Sequence, residues 1–179
     1  FEGITQTRPP HDAKYDFRHP QAKLIATDIY SGVSAIPAGG VERVANGGSI
    51  KLDKSVWTST IDARLNVPSP VNLKIESEYN TTDSIASIRA TLVYTSKVDF
   101  PHNLSIVVVE DSIIDKQEYP STHPVHPGFD EAYVFTNVFR GMVTSAPYGD
   151  PVLTSITAKE PGRAFIKNFK YKLTNVLNP

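Results

Sequence analysis

Val71-Asn72-Leu73-Lys74-Ile75-Glu76-Ser77-Glu78-Tyr79 alternates apolar and polar side chains. A period of two puts Val71, Leu73, Ile75 and Tyr79 on one face and Asn72, Lys74, Glu76 and Glu78 on the other, as in a strand with one wet face. Asn80 to Ser84 supplies a turn, and Ile88, Ala90, Leu92 and Tyr94, alternating with Arg89, Thr91 and Thr95, bring a second strand back onto the first. Leu104 to Val109 is continuously apolar and β-branched, which predicts a central strand. Phe165, Phe169, Tyr171 and Leu173 alternate with Ile166, Lys170 and Lys172 in a late strand, with Val152 to Ala158 expected as its hairpin partner across Lys159-Glu160-Pro161-Gly162. Phe135, Val138, Phe139 and Met142 recur at i, i+3, i+4 and i+7, so a short helix is expected near 133–142, closing one end of an antiparallel sandwich.

Upstream the texture changes. Val67-Pro68-Ser69-Pro70 is the expected boundary, because two prolines two residues apart stiffen the chain and neither donates a backbone hydrogen bond. Before it, residues 1–7 read as a short strand and Arg8-Pro9-Pro10-His11-Asp12 as an irregular loop. Pro20 suits the first position of a helix running to about Tyr30, with Leu24, Ile25 and Ile29 as its stripe and Gly32 as its end. Ser34 to Pro37 forms a proline loop, Gly39-Gly40 opens a strand from Val41 to Val44, and Asn46-Gly47-Gly48 turns it onto Ser49 to Leu52. Asp53 is the expected N-cap of a helix whose Trp57, Ile61 and Leu65 share one face. Helix, proline loop, hairpin and helix, in that order, is the second half of a thioredoxin-like domain. The reading is α+β, mainly β: a partial thioredoxin-like α/β segment over 1–66, then an antiparallel β-sandwich domain over 67–179.

That scaffold has no thiol, since the chain of 179 residues contains no cysteine. Without one it does no redox chemistry, which moves the expected function from catalysis toward binding. Lys and Arg number 18 against 19 Asp and Glu, and no basic cluster offers the phosphate contacts that nucleic-acid binding needs. No apolar run approaches the ~20 residues that span a bilayer. Prolines number 14, against roughly 9 at average usage, which fits many loops and strand edges. The chain begins at Phe1 without a signal segment and reads as a fragment or processed form.

The histidines are the candidates for metal and acid-base chemistry. His123 and His126 lie in Ser121-Thr122-His123-Pro124-Val125-His126-Pro127, where the prolines impose an extended, exposed loop and the spacing matches no standard zinc motif. His11 with Asp12, and His19 near Asp16, have the makings of imidazole–carboxylate pairs. No Gly-x-Ser-x-Gly elbow or cysteine supplies a nucleophile, so they read as surface or capping residues. Glu110, Asp111, Asp115 and Glu118 lack the turn glycine of a calcium loop and read as a solvated strand end. Gly39-Gly40 and Asn46-Gly47-Gly48 read as turns and not as a phosphate cradle. Asn80-Thr81-Thr82 and Asn103-Leu104-Ser105 match the glycosylation sequon.

Two segments together carry a family resemblance. One is Tyr30 to Arg43, with Ile36-Pro37-x-Gly before a hydrophobic strand. The other runs from Asn103-Leu104-Ser105-Ile106-Val107-Val108-Val109-Glu110-Asp111 through Tyr133-Val134-Phe135-Thr136-Asn137-Val138-Phe139-Arg140. The chain resembles the outer-membrane lipoprotein family typified by the 28-kDa outer membrane protein of Porphyromonas, found across Bacteroidetes. The resemblance implies a thioredoxin-like domain followed by a β-sandwich, an N-terminal lipid anchor outside this chain, and a place on the bacterial cell surface. It also implies histidines around the asparagine matching Asn137, places held here by Phe135 and Val138. It supplies no catalytic, cofactor or metal residue, and leaves Pro37, Trp57, Asn137 and Arg140 as structural landmarks.

The expected function is a non-enzymatic outer-membrane module for adhesion or binding of a protein or glycan, with no nucleic acid and no cofactor. One alternative is a fragment of a surface or periplasmic thiol oxidoreductase whose cysteines lie upstream, with Pro37 as the cis proline. Another is a structural scaffold of an envelope complex.

Overall fold

The computed structural model describes residues 12–33 and 37–174. The expected strand at 1–7, the loop from Arg8 to His11, and Ser34 to Ile36 lie outside them, as does the peptide bond from Ile36 to Pro37. Helix α1 spans Pro20–Leu24 and continues as one π-helical turn, Ile25–Ile29. His19 caps it by accepting the Gln21 N–H on Nδ1 at 3.2 Å, and Gly32, at φ +81°, closes it through its N–H to the Ala26 carbonyl at 2.8 Å. The buried face is Ala22 and Ala26, while Leu24 of the expected stripe is exposed. Small side chains win there because the helix lies close against Phe139 and Met142.

Strand β1, Ala38–Gly39, pairs antiparallel with β2, Leu52–Asp53. The strand expected over 41–44 is instead a turn: Glu42 and Arg43 take φ of +48° and +54°, and the Val44 N–H meets the Val41 carbonyl at 2.9 Å. The pairing falls at Gly39 because a side chain there would come within 3.2 Å of the Trp57 ring. Asn46 and Ser49 exchange backbone hydrogen bonds of 2.9 and 3.2 Å around the expected Gly47-Gly48 turn. Asp53 caps a 3-10 turn, Lys54–Val56, through Ser55 N–H at 2.9 Å, and leads into α2, Trp57–Leu65. Trp57 packs on Gly39 and donates its indole N–H to the Leu52 carbonyl at 3.2 Å. Ile61 and Leu65, on the same face, are exposed.

The chain is mainly β, with few short helices and several small antiparallel sheets. Strands β3, Val71–Asn80, and β4, Ile85–Tyr94, pair over their whole length, Val71 with Tyr94 through Asn80 with Ile85. The turn forms as read, with Asn80 Oδ1 accepting the Thr82 N–H at 2.9 Å and Asp83 Oδ1 the Ile85 N–H at 3.0 Å. The Leu104 to Val109 run is broken into β5, Asn103–Leu104, and β6, Val107–Glu110. Between them the Ile106 N–H turns to the Thr144 hydroxyl at 3.1 Å, which interrupts the ladder and lets the chain change partners.

β7, Ile113–Glu118, pairs with β8, Phe129–Phe135, and β6 pairs with β9, Val138–Met142. The helix expected near 133–142 is therefore two strands. Its helical spacing comes from β9 being buried on both sides, with Asn137 at φ +56° making the corner between strands. β10, Asp150–Pro151, pairs with β5, and β11, Ala164–Lys172, pairs with β4 from Ala164–Val93 to Lys172–Ile85. Val152 to Ala158 is not its hairpin partner. Leu153 at φ +50° bends the segment, and only Lys159 bridges, to Val98.

Three apolar clusters hold these sheets. Ile88, Ala90 and Leu92 of β4 pack with Leu104, Ile106 and Val152. Ala22 packs with Phe139 and Met142. Phe17, on the segment before α1, packs with Ile113, Phe135 and Val138. That segment is tied down by Asp115, a buried carboxylate that accepts the N–H groups of Lys14 at 2.9 Å and Tyr15 at 2.8 Å.

Candidate functional site

The β7–β8 connection carries Pro120, Pro124 and Pro127, which fix φ and remove donors, so its shape is set by few conformational freedoms. The Tyr119 N–H reaches the Gly128 carbonyl at 2.8 Å, adding one rung beyond the Glu118–Phe129 pair, with Gly128 at φ +89°. The His123 N–H closes a turn on the Pro120 carbonyl at 2.8 Å. The His126 N–H donates to His123 Nδ1 at 3.0 Å, which makes Nδ1 an acceptor and leaves the proton of the neutral ring on Nε2. His126 Nε2 lies 3.6 Å from Asp130 Oδ2.

The loop thus brings together rings that the sequence reading left apart. Tyr119 stacks on His123 at 4.4 Å and 29° and on His126 at 5.8 Å and 24°, and the two imidazoles lie 6.2 Å apart at 23°. Near-parallel planes at these separations make a ring stack at the tip of the hairpin, in which His123 covers one face of Tyr119. It is braced from below by edge contacts running Tyr119, Tyr133, Phe135, Phe17, the last three spaced at 4.7 and 4.8 Å. Exposed Val125 and Phe129 flank it. The Lys116 ammonium sits 4.2 Å from the Phe129 ring and 3.1 Å from Glu131. Among the described residues no three His, Asp or Glu side chains are placed to hold a metal ion. The cluster offers aromatic surface and imidazole polar atoms.

Residues 25–179 match the family model described as outer membrane protein Omp28. The chain belongs to the Omp28 family. The family name places it at the outer membrane. No curated protein and no solved structure matches it. Among the described residues no helix is long and apolar enough to cross a membrane.

The landmarks of this Omp28-family chain take structural positions. Pro37 is exposed beside β1, and Trp57 packs on β1 and β2. Asn137 donates its N–H to Asp111 Oδ1 at 2.5 Å, and Arg140 Nε lies 3.2 Å from Glu110 Oε2 in a largely buried pair. The four acidic residues read as a solvated strand end are therefore dispersed: Glu110 pairs with Arg140, Asp111 caps the corner, and Asp115 is buried. His19 and Asp16 form no pair, because Asp16 binds the Arg18 guanidinium and His19 caps α1. Burial, and then the nearby Arg140 charge, lower the His19 pKa. His11 lies outside the described residues. Of the sequons, Asn80 sits in the β3–β4 turn and Asn103 donates from its side chain to the Tyr148 carbonyl at 3.1 Å.

Sequence reasoning missed Tyr119. The signal was there, as an aromatic at the foot of a proline-framed loop holding two histidines. What the linear pattern lacked was the turn at Pro120 that folds His123 back over it.

Proposed function

We propose that this chain is a non-enzymatic cell-surface module of an outer-membrane protein, held to the membrane through a lipid anchor outside it. It captures a partner with the β7–β8 hairpin tip. The observation that carries this is the stack of Tyr119, His123 and His126 at the tip, whose planes lie within 29° of one another. A prearranged ring cluster loses little entropy on binding, and an aromatic group beside imidazole polar atoms suits the apolar faces and hydroxyls of a sugar, so a glycan is the favoured partner. The proposed organisation keeps a remnant thioredoxin-like layer over 1–66 and a β-sandwich over 67–179. The exposed Pro68 and Pro70 between α2 and β3 support it.

The test is a glycan array followed by calorimetry on any hit, comparing wild type with Tyr119→Ala and with the distant surface variant Lys172→Ser. Binding that survives in Lys172→Ser and disappears in Tyr119→Ala supports the proposal. No hit on glycans, with capture of a purified surface protein that Tyr119→Ala still binds, overturns it.

A second reading, a scaffold within an envelope assembly, is favoured by one observation. Among the described residues β3 pairs with β4 alone, and Leu73, Ile75 and Tyr79 on its core-side face are 61, 58 and 53% exposed. A long apolar edge of this kind invites added strands. Concentration-dependent sedimentation that Ile75→Lys abolishes would favour this reading. A monomer at every concentration would remove it.

A further inference from the structure

β3 is an edge of its sheet: the strand order is β11-β4-β3, and the ten residues Val71–Asn80 pair with β4 without a register shift. The strand contains no proline and no glycine, so it lacks the bulge, the break and the shortness that blunt an edge against further pairing. Leu73, Ile75 and Tyr79 continue the face on which β4 buries Ile88, Ala90 and Leu92, yet they stay exposed. The opposite edge differs. β11 carries Lys167, Lys170 and Lys172 and no acidic residue, so it repels a second β11.

The charges of β3 fit a second β3. Along a strand the backbone N–H and C=O groups of successive residues point alternately to one neighbour and to the other, so two antiparallel copies of one strand pair only with their two-fold axis on a residue, not between two. The same condition keeps Leu73, Ile75 and Tyr79 of both copies on one face. An axis on Lys74 sets Lys74 against itself, one on Glu76 sets Glu76 against itself, and one on Ser77 sets Glu76 against Glu78. Axes nearer either end of the strand oppose five residues or fewer. An axis on Ile75 opposes residues 71 to 79 with no like charges facing: each Lys74 meets the other copy's Glu76, Ile75 meets Ile75, Leu73 meets Ser77, Val71 meets Tyr79 and Asn72 meets Glu78. Arg89 of β4 already opposes Glu76 on its other side, so the row across the joined sheet alternates in sign, Arg89, Glu76, Lys74.

We propose that two copies of this chain join edge to edge through β3, antiparallel and centred on Ile75, into one six-stranded sheet whose apolar face runs across the junction. The contact is isologous and therefore closes at two copies. It rests on the scaffold reading in taking β3 as an open edge, and adds the partner and the register.

The chain contains no cysteine, so introduced cysteines report neighbours without background. Directly opposed residues hold their Cβ atoms about 5 Å apart, and Ile75→Cys should cross-link to its own copy with a short bis-maleimide. Leu73→Cys, roughly 14 Å from its copy in this register, should not, but should cross-link when mixed with Ser77→Cys. In sedimentation at low salt, Lys74→Glu and Glu76→Lys should each weaken self-association about tenfold or more, since each change is felt twice across the two-fold. A mixture of these two variants, and the Lys74→Glu/Glu76→Lys double variant, should recover it. All these positions are exposed, so the variants keep the fold. Self-association that neither charge reversal weakens, or that the mixture fails to recover, overturns the proposal while leaving a scaffold that assembles through another surface. Cross-linking of Leu73→Cys alone, none at Ile75→Cys, or cross-linking of Ile75→Cys to a different protein in a membrane extract in place of its own copy does the same. A monomer at every concentration overturns both.

Discussion

Replacing Asp115 with alanine should release the segment before α1 from the β7–β8 hairpin. The carboxylate receives three backbone N–H groups, from Lys14 at 2.9 Å and Tyr15 at 2.8 Å across some hundred residues of sequence, and from its neighbour Lys116 at 2.8 Å. Hydrogen bonds to a charged group contribute about 1.5–3 kcal/mol each. The lower end applies, because the burial cost of the carboxylate is relieved in the variant and the freed amides can meet water. Counting the two long-range bonds gives a loss of about 3 kcal/mol. For a chain of this size that lowers Tm by about 6–12 °C.

Asparagine separates the two bonds. Lys14 and Lys116 donate to Oδ1 and Tyr15 to Oδ2. Asp115→Asn can keep an acceptor at Oδ1 but sets an amide NH₂ against the Tyr15 N–H. Hydrogen exchange followed by NMR should then show Tyr15 losing protection in Asp115→Asn while Lys14 keeps it, and both losing it in Asp115→Ala. An alanine variant within about 1 kcal/mol of wild type in urea unfolding, with both amides still protected, would refute the reasoning.

Three further outcomes follow from single positions. Gly149 sits at φ +82°, and a Cβ there would press on the Leu104 carbonyl and come within 2.5 Å of the Ser105 hydroxyl. Gly149→Ala should lose about 3 kcal/mol by strain and overlap. Gly162→Ala, at φ +83° in open space, should lose only about 1 kcal/mol, and equal losses in urea unfolding would contradict this. Asp150 is held down to about 2 from an ordinary 3.8, first by its hydrogen bond to the Lys167 ammonium and then by the Ser145 N–H and hydroxyl. Because the folded value is depressed, its contribution is full above about pH 4 and fades as pH falls toward 2. The stability gap between wild type and Asp150→Asn should narrow over that window, and a gap independent of pH would count against the pair. His19 has its pKa lowered from 6.5 by burial and then by Arg140, and it caps α1 only while Nδ1 is unprotonated. That contribution is present above pH 6.5 and declines below it, so wild type should lose stability relative to His19→Asn as pH falls below 6.5, read by urea midpoints.

Where one face of a strand is wet and the other dry, the sequence declares it. The β3–β4 hairpin was legible to its turn residues because β4 buries Ile88, Ala90, Leu92 and Tyr94 in alternation with Arg89 and Thr91, and β3 carries the same alternation even though Leu73, Ile75 and Tyr79 are themselves exposed. β11 was legible for the same reason, through Ile166, Lys170 and Lys172. β9 was not. With Val138, Phe139, Gly141 and Met142 all buried, alternation vanishes, and two strands joined at Asn137 leave apolar residues at intervals of three and four that imitate a helix. The partner of β11 was misread because nearness in sequence favoured Val152 to Ala158, whereas the pairing goes to β4, where nine consecutive residues find partners.

The candidate site and one buried cation were harder to read than the fold, for a reason visible in Tyr119 and Lys159. A ring stack or a buried cation is defined by what surrounds it in space, and both residues sit beside segments whose path depends on special backbone conformations: Gly128 at φ +89° for the hairpin, Leu153 at φ +50° before the Lys159 bridge. Lys159 read as the start of a polar turn because Glu160-Pro161-Gly162 follows it. Lys159 bridges to Val98 and is buried, and propensity carries no trace of that bridge because it is a single pair between distant segments. The proline loop that seemed to promise chemistry at Pro37 contributes an exposed residue at a strand end, while the loop framed by Pro120, Pro124 and Pro127 organises rings. In the sequence the prolines of the second loop read as imposing an extended path, while Ser34 to Ile36 of the first lie outside the described residues. The second is braced by aromatic contacts continuing into a buried cluster, and that bracing is what makes a stiff loop a usable surface.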